Sequence, residues 1–197
     1  MADAGRVIAG TARGIRLAAP GPATRPLGDR VKQTLFAVLD VELRDARVLD
    51  LFAGSGAAGI EALSRGARAA TFVERDRVAA RAIDDNLRRT HLAARAMVVR
   101  ADAIGWLAAR GAGNEPWDIA IVDPPYAETD LLERALEALG RPGVVTPGGR
   151  VVAKHFWRET PPARIGLLAS ERERRFGETA LTFYRAGSDE AASEEKR

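Results

Sequence analysis

The feature that most constrains the fold is a regular alternation of apolar runs and amphipathic segments, which begins at residue 47. The apolar runs predict strands at 47–52, 70–74, 96–100, 117–122 and 149–155. The amphipathic segments between them predict helices near 57–66, 76–91, 102–110 and 129–140. Strands that alternate with helices through short connections favour a parallel, doubly wound sheet with helices on both faces.

Two further strands come in direct succession near the end of the chain. They are predicted at about 166–173 and 179–185, with a turn around Gly177 between them. A connection this short joins antiparallel strands, so the pair is expected to form a hairpin on the sheet edge. The sequence therefore predicts an α/β fold whose doubly wound, mostly parallel sheet has seven strands.

The segment ahead of the alternation predicts a small hairpin and helix extension. Arg6–Ala9 and Ile15–Ala18 are typical of hairpin strands, and Pro20-Gly21-Pro22 ends the second of them. Asp29 is expected to be the N-cap of a helix. The apolar positions of that helix are Val31, Leu35, Val38 and Leu39.

These patterns divide the chain into three regions. The first, residues 1–40, holds the predicted hairpin and helix, and the second, residues 41–186, holds the α/β domain. The third, residues 187–197, is acidic and without apolar periodicity, so it is expected to be a disordered tail.

Composition narrows the class of protein without choosing a function. The 197 residues include no cysteine and only two, widely separated, histidines, so no metal site is expected. No segment approaches the roughly 20 apolar residues that a membrane span needs, which favours a soluble cytoplasmic protein. The net charge is +3 and nearly all basic residues are arginine. Arginine suits contacts to nucleic acid, but a GC-rich genome would favour arginine codons equally well.

A glycine-rich loop comes after the first strand of the alternation. Gly54–Gly59 matches G-x-G-x-x-G, and Glu74 ends the next strand 20 residues after Gly54. This pattern is the fingerprint of dinucleotide-binding loops, so an NAD-dependent oxidoreductase is one interpretation. Asp50, four residues before the first glycine, would repel a pyrophosphate. Its carboxylate suits the ammonium and sulfonium groups of S-adenosylmethionine, which is the other interpretation.

Two acidic residues lie at the ends of the second and third strands of the alternation. Glu74 could accept hydrogen bonds from the ribose hydroxyls of either cofactor, or be a solvated charge where a helix opens. Asp102 lies at the end of the third strand, where an adenine ring would lie in such folds. It could equally be the N-cap of the next helix, and the two roles are compatible.

The most specific motif is Asp123-Pro124-Pro125-Tyr126, which ends the apolar run 117–122. Because Pro124 cannot extend a central strand, the motif is expected at the carboxyl edge of the sheet, where α/β proteins bind ligands. Asp123 and the Pro124 carbonyl could each accept one N–H of an exocyclic amine while Tyr126 stacks on its ring. A proline-terminated strand with a chance tyrosine is the structural alternative. A base inside a helix cannot reach such a pocket, so the target must be unpaired or flipped.

Taken together, these motifs resemble one family. Gly54-Ser55-Gly56, Glu74, Asp123–Tyr126 and the basic block from Arg25-Pro26 to Asp29-Arg30-Val31-Lys32 are similar to the RsmD-type small-subunit (16S) ribosomal RNA guanine-N2 methyltransferases. The resemblance runs from about Arg6 to Tyr184. It implies a Rossmann-like fold, S-adenosyl-L-methionine as cofactor and small-subunit ribosomal RNA, or the assembling subunit, as partner.

The resemblance also implies roles for individual residues. The residues that would hold S-adenosylmethionine are Asp50, Phe52, Gly54, Gly56, Glu74, Asp102 and Ala103. The residues that would hold guanine are Asp123, Pro124 and Tyr126. The residues that would line the RNA entrance are Arg13, Arg25, Arg30 and Lys32.

The sequence departs from the family pattern at several positions. Leu27-Gly28 stands where small hydroxyl residues are usual, and Gln33 and Ala37 replace the usual Glu and Asn. Lys154-His155 takes the place of a common Glu-His pair. Lys154 is expected to be an exposed strand-end lysine, with a phosphate contact as the alternative. His155 and the two aromatic residues after it, Phe156 and Trp157, could stack on RNA bases or pack at the edge of the core.

The sequence thus predicts an S-adenosylmethionine-dependent methyltransferase that acts on a guanine amine in small-subunit ribosomal RNA. A DNA adenine or cytosine amino-methyltransferase would use the same kind of site for an exocyclic amine and is the nearest alternative. An NAD-dependent oxidoreductase and a noncatalytic ribosome-assembly protein are alternatives from other classes.

Overall fold

The computed structural model describes residues 3–21, 28–110, 114–125, 128 and 130–188. The chain forms two compact units, Met1–Asp102 and Ala103–Arg197. The predicted division into residues 1–40 and 41–186 stays a prediction. Most of the predicted tail, residues 189–197, lies outside the described residues.

The first unit contains a hairpin and then alternating helices and strands. Its elements are β1 Asp3–Arg6, β2 Arg16–Ala18, α1 Asp29–Leu39, β3 Arg47–Leu51, α2 Ala57–Ser64, β4 Ala69–Glu74, α3 Arg77–Thr90 and β5 Ala96–Arg100. Single 3-10 turns lie at Asp40–Glu42 and Ala93–Arg95. From β3 onward, these bounds agree with the predicted strands and helices to within about two residues.

Strands β3, β4 and β5 pair in parallel, with β4 in the middle. Val48 on β3 lies opposite Ala70 on β4, and Ala70 lies opposite Ala96 on β5. Val48, Leu49 and Leu51 are fully buried. Burial on both faces explains why β3 appears in the sequence as a continuous apolar run rather than as an alternating pattern.

Helix α2 packs closely on β4 because a glycine lies at the contact. A Cβ atom at Gly59 would lie 2.3 Å from Cε1 of Phe72, whose side chain is fully buried. The last glycine of the G-x-G-x-x-G pattern is therefore needed for packing between helix and strand.

We expect Gly59→Ala to lower the free energy of unfolding by about 1–3 kcal/mol, the usual cost of forcing a methyl group into a filled core. The measurement is urea unfolding followed by circular dichroism. Gly21→Ala is the control, because a Cβ atom there meets nothing within 4 Å. An unchanged midpoint for Gly59→Ala would show that α2 moves away from β4 at no cost.

The N-terminal hairpin was predicted correctly, but its first strand both begins and ends earlier than expected. Strand β1 is Asp3–Arg6 rather than Arg6–Ala9. The reason is a buried carboxylate on α2: Glu61 accepts hydrogen bonds from the backbone amides of Ile8 at 2.7 Å and Ala9 at 3.0 Å. These amides bond a side chain instead of continuing the strand ladder.

Asn86 on α3 fixes the other strand of the hairpin. Its side-chain amide accepts from the Ala18 amide at 2.8 Å and donates to the Ala18 carbonyl at 2.9 Å. It also donates to the Ser55 carbonyl in the glycine loop at 3.0 Å. One fully buried side chain therefore links β2 to the glycine loop.

Helix α1 differs from its prediction in two respects. Gly28 is the N-cap and Asp29 is the first helical residue, with no side-chain capping bond. The buried face contains Lys32 and Phe36 together with Leu35 and Leu39. The expected positions Val31 and Val38 are only half-buried, because the helix turns its lysine inward.

The second unit combines a parallel strand pair with an antiparallel extension. Its elements are α4 Ala103–Ala108, β6 Trp117–Val122, α5 Asp130–Leu139, β7 Val145–Phe156, β8 Arg164–Ile165, β9 Leu168–Phe176 and β10 Thr179–Ala186. Strands β6 and β7 are parallel, β7 pairs antiparallel with β10, β10 with β9, and β9 with β8.

The predicted α/β fold class is confirmed: β3, β4 and β5 pair in parallel, and so do β6 and β7. The predicted final hairpin is formed by β9 and β10, and Gly177 at its turn has φ +60°. Within the described residues, the strands of these pairings, β3 to β10, number eight rather than seven, because the two-residue β8 adds to β9. Among the described residues, no helix is both long and apolar enough to cross a membrane.

Candidate active site

The loop after β3 is held in left-handed backbone conformations. Gly54 and Gly56 have φ of +55° and +75°, which glycine adopts without steric cost. Phe52, just before them, has φ +62°, an unfavourable conformation for a bulky residue. Such outliers concentrate at ligand-binding loops.

Asp50 is buried near the end of β3, with 2% of its surface exposed. Its Oδ2 accepts a hydrogen bond of 2.8 Å from the Gly59 amide in the first turn of α2. The structure thus gives Asp50 a role in fixing the start of α2. Contact with a cofactor ammonium, which the sequence predicts, remains a prediction.

Glu74, at the end of β4, supports the glycine loop with both oxygens. Oε2 accepts from the Gly54 amide and Oε1 from the Asp76 amide, each at 2.8 Å. Asp76, and not Glu74, caps α3, because its side chain accepts from the Ala79 amide. Glu74 and Gly54, which are 20 residues apart in the chain, are thus joined by a direct hydrogen bond.

The ends of β4 and β5 lie side by side in this unit. Glu74 is opposite Arg100, and the Ala101 amide donates to the Glu74 carbonyl at 3.2 Å. Asp102 comes directly afterwards and is exposed, while Ala103 is buried at the first position of α4. Two carboxylates and a glycine loop at one strand edge fit a cofactor with ribose hydroxyls and an adenine amine.

The Asp123-Pro124 step lies directly after β6, as predicted. Asp123 has 27% of its side chain exposed, and Pro124 is buried. Burial raises the pKa of the Asp123 carboxyl above its usual value, and the positive charge of Lys154 offsets this shift only in part. Tyr126 lies outside the described residues, so its stacking role remains a prediction.

Lys154 is placed differently from the exposed lysine that the sequence predicts. Its ammonium lies 2.5 Å from Oδ1 of Asp123, and only 14% of its side chain is exposed. The parallel pairing of β6 and β7 causes this. Val122, the last residue of β6, lies opposite Ala153, so Asp123 and Lys154, which follow them, are adjacent. The sequence signals both strands but not that they are neighbours, and the pair was missed.

The aromatic stretch after Lys154 divides between core and surface. His155 is 1% exposed, with Nε2 2.8 Å from Thr182 Oγ1 and Nδ1 2.9 Å from the Phe156 carbonyl. Core packing is thus the correct alternative for His155. Trp157 is half-buried under Arg175, whose guanidinium carbon lies 3.5 Å from the centre of the Trp157 ring.

The four residues expected to contact RNA are placed unequally. Arg13 is exposed, Arg30 is exposed at the start of α1, and Arg25 lies outside the described residues. Lys32 is fully buried, and its ammonium donates to the Arg6 carbonyl at 2.5 Å. The expected RNA contact of Lys32 does not fit this position, because its charge is used to join α1 to the hairpin.

The described residues include no group of three or more histidine, cysteine or acidic residues placed to hold a metal ion.

Comparison with known proteins gives a consistent set of relatives. The family model described as "Conserved hypothetical protein 95" matches residues 5–185. The chain is 37% identical over 180 residues to ribosomal RNA small subunit methyltransferase D of Escherichia coli, covering 91% of this chain and 88% of that protein. It is 36% identical over 181 residues to the putative rRNA methyltransferase YlbH of Bacillus subtilis, covering 91% and 98% of the two chains.

Solved structures agree with these relatives. The Escherichia coli putative methyltransferase yhhF superimposes with a TM-score of 0.80 at 37% identity, covering 93% of this chain and 98% of that chain. An RNA methyltransferase from Salinibacter ruber, solved with S-adenosyl-L-homocysteine, has a TM-score of 0.62 at 16% identity, covering 83% and 95%. The second likeness is evidence for the fold alone.

Proposed function

The chain belongs to the RsmD family of ribosomal RNA methyltransferases, and from that premise we propose that it methylates the N2 amine of a guanine in small-subunit ribosomal RNA. S-Adenosyl-L-methionine is the methyl donor. The family also decides between the two interpretations of the glycine loop, because it favours a methyltransferase over an oxidoreductase. An enzyme that modifies ribosomal RNA would act in the cytoplasm.

The observation that carries the proposal is Asp123-Pro124 at the carboxyl end of β6, in a chain matched to this family over residues 5–185. The exocyclic amine of guanine is a poor nucleophile because its lone pair is delocalised into the ring. A carboxylate and a carbonyl that accept its two N–H groups draw the nitrogen towards a tetrahedral form. Asp123 and the Pro124 carbonyl are the groups that we assign to this task.

We assign the cofactor to the loop and strand ends of β3, β4 and β5. S-Adenosylmethionine supplies a methyl group on a positively charged sulfur, which is already a strong electrophile. Glu74 would accept hydrogen bonds from the ribose hydroxyls, and Asp102 from the adenine amine. The left-handed Gly54 and Gly56 let the backbone approach the cofactor closely.

The decisive experiment measures tritium transfer from labelled S-adenosylmethionine to three substrates: small ribosomal subunits, naked small-subunit RNA and DNA. Label in RNA, mapped to one guanine, is the expected result. Label in DNA alone would identify a DNA amino-methyltransferase and refute the proposal. RNA binding without any transfer would indicate an assembly protein.

The basic N-terminal block gives a separate prediction about RNA affinity. Replacing Arg25 and Arg30 by Ala should weaken RNA binding and flatten its dependence on salt. Each lost phosphate contact reduces the slope of log K against log salt by about 0.7 on single strands. The control is Arg134→Ala, an exposed arginine on α5 that pairs with Asp130 at 3.1 Å. An unchanged salt slope would show that neither arginine contacts the RNA phosphates.

A further inference from the structure

We propose that Lys154 is a positioning residue for the methyl transfer: it holds one oxygen of Asp123, so that the other oxygen receives the substrate amine. This inference rests on the proposed function, because it concerns the carboxylate assigned to the guanine amine. Lys154 lies outside the Asp-Pro-Pro-Tyr motif, so the motif alone does not identify it.

The contact between the two side chains is direct. Lys154 Nζ lies 2.5 Å from Asp123 Oδ1, a short charge-assisted hydrogen bond. Lys154 comes after Ala153 on β7 and Asp123 after Val122 on β6, and these preceding residues are opposite each other in the ladder. Strand pairing therefore fixes the backbone of Lys154, which lies within β7, and the backbone of Val122, the residue before Asp123.

A lysine in this position partly offsets an electrostatic problem of the site. Burial favours the neutral form of Asp123 by raising its pKa, and a protonated carboxyl would offer a donor where the amine needs an acceptor. The ammonium opposes this effect and favours the ionised carboxylate. It also restricts rotation of the carboxylate, because one oxygen is bound by a neighbouring strand.

The same strand carries an ion pair of a different kind, which serves as a comparison. Arg150 on β7 pairs with Glu171 on β9, and Arg185 shares that carboxylate. Glu171 is 42% exposed, and pairs so close to solvent contribute little. The pair of Lys154 and Asp123 is less exposed, at 14% and 27%, and one of its members carries the proposed chemistry.

The test compares Lys154→Met, Lys154→Gln and Lys154→Arg in a methylation assay on the RNA substrate. Met and Gln remove the charge, so kcat should fall by about 10- to 100-fold, the scale expected when a reacting group is poorly placed. Because these substitutions misplace a reacting group without removing a binding contact, the KM for RNA and the affinity for S-adenosylmethionine should change by less than about threefold. Arg keeps a charged donor and should restore most of kcat. Arg150→Met, a charge removed from the same strand, should leave kcat unchanged.

A double-mutant cycle separates positioning from general support of the fold. If Lys154 acts through Asp123, Lys154→Met should cause no further loss of single-turnover rate in an Asp123→Asn background. Additive losses, or a full rate for both Met and Gln, would overturn the inference. An inactive wild-type enzyme would instead refute the proposed function. Thermal unfolding of each variant identifies any that fails to fold. If Lys154→Met fails to fold, the rates of Lys154→Gln and Lys154→Arg test the inference.

Discussion

Replacing Asp123 by Asn is expected to lower kcat by about 100-fold or more, while the affinity for S-adenosylmethionine stays within about twofold. The magnitude is typical for removing one preorganised group that meets charge developing in the transition state. Asn has nearly the same shape, but it lacks the negative charge that stabilises a nitrogen becoming positive. Its carbonyl would be drawn to the Lys154 ammonium, which would leave its NH2 group to face the amine.

The measurement pairs single-turnover methyl transfer with calorimetric titration of the cofactor. Asp118→Asn is the matched control: Asp118 lies near the start of the same strand, half-buried, and accepts from Thr146 Oγ1 at 3.3 Å. It should keep wild-type kcat. If Asp123→Asn lost cofactor affinity and turnover equally, Asp123 would be a structural residue, and the proposed amine contact would be wrong.

The parts of the molecule that the sequence predicted well are those determined by neighbours along the chain. The apolar run 117–122 predicted β6 with the bounds that the strand has, because a buried parallel strand needs continuous apolar residues. The glycine spacing at Gly54 and Gly56 predicted the loop, since left-handed backbone favours glycine locally. The position of Asp123 at a strand end was predicted from the proline after it.

The parts that the sequence missed are determined by contacts between distant segments. Lys32 belongs to the buried face of α1 only because the hairpin carbonyl of Arg6 and the carboxylate of Glu61 lie beside that helix. Likewise, Lys154 reaches Asp123 only because β6 and β7 are adjacent. A lysine in a helix or at a strand end looks solvated in a sequence, since nothing local indicates an acidic partner.

The buried charges around Glu61 lead to the largest expected effect on stability. Glu61 has no exposed surface and accepts from three donors: the Ile8 and Ala9 amides and Arg65 Nε at 2.8 Å. Burial lowers the pKa of Lys32, and the negative charge of Glu61 opposes that shift. Glu61→Gln is expected to lower the free energy of unfolding by about 3 kcal/mol, because it removes the one fully buried counter-charge of Lys32 and Arg65 and leaves them only the more exposed Asp29 and Asp40.

For a chain of this length, that loss corresponds to a fall in Tm of about 6–12 °C. Glu137→Gln on α5, where the glutamate is exposed, is the control and should stay within about 0.5 kcal/mol. The double variant Glu61→Gln with Lys32→Met should lose less than the sum of the single losses, because a neutral side chain then replaces a buried ammonium that keeps only Asp29 as counter-charge. Strict additivity would mean that the hydrogen bonds of Glu61 to the hairpin, and not its charge, hold α1 and α2 against the N-terminal strands.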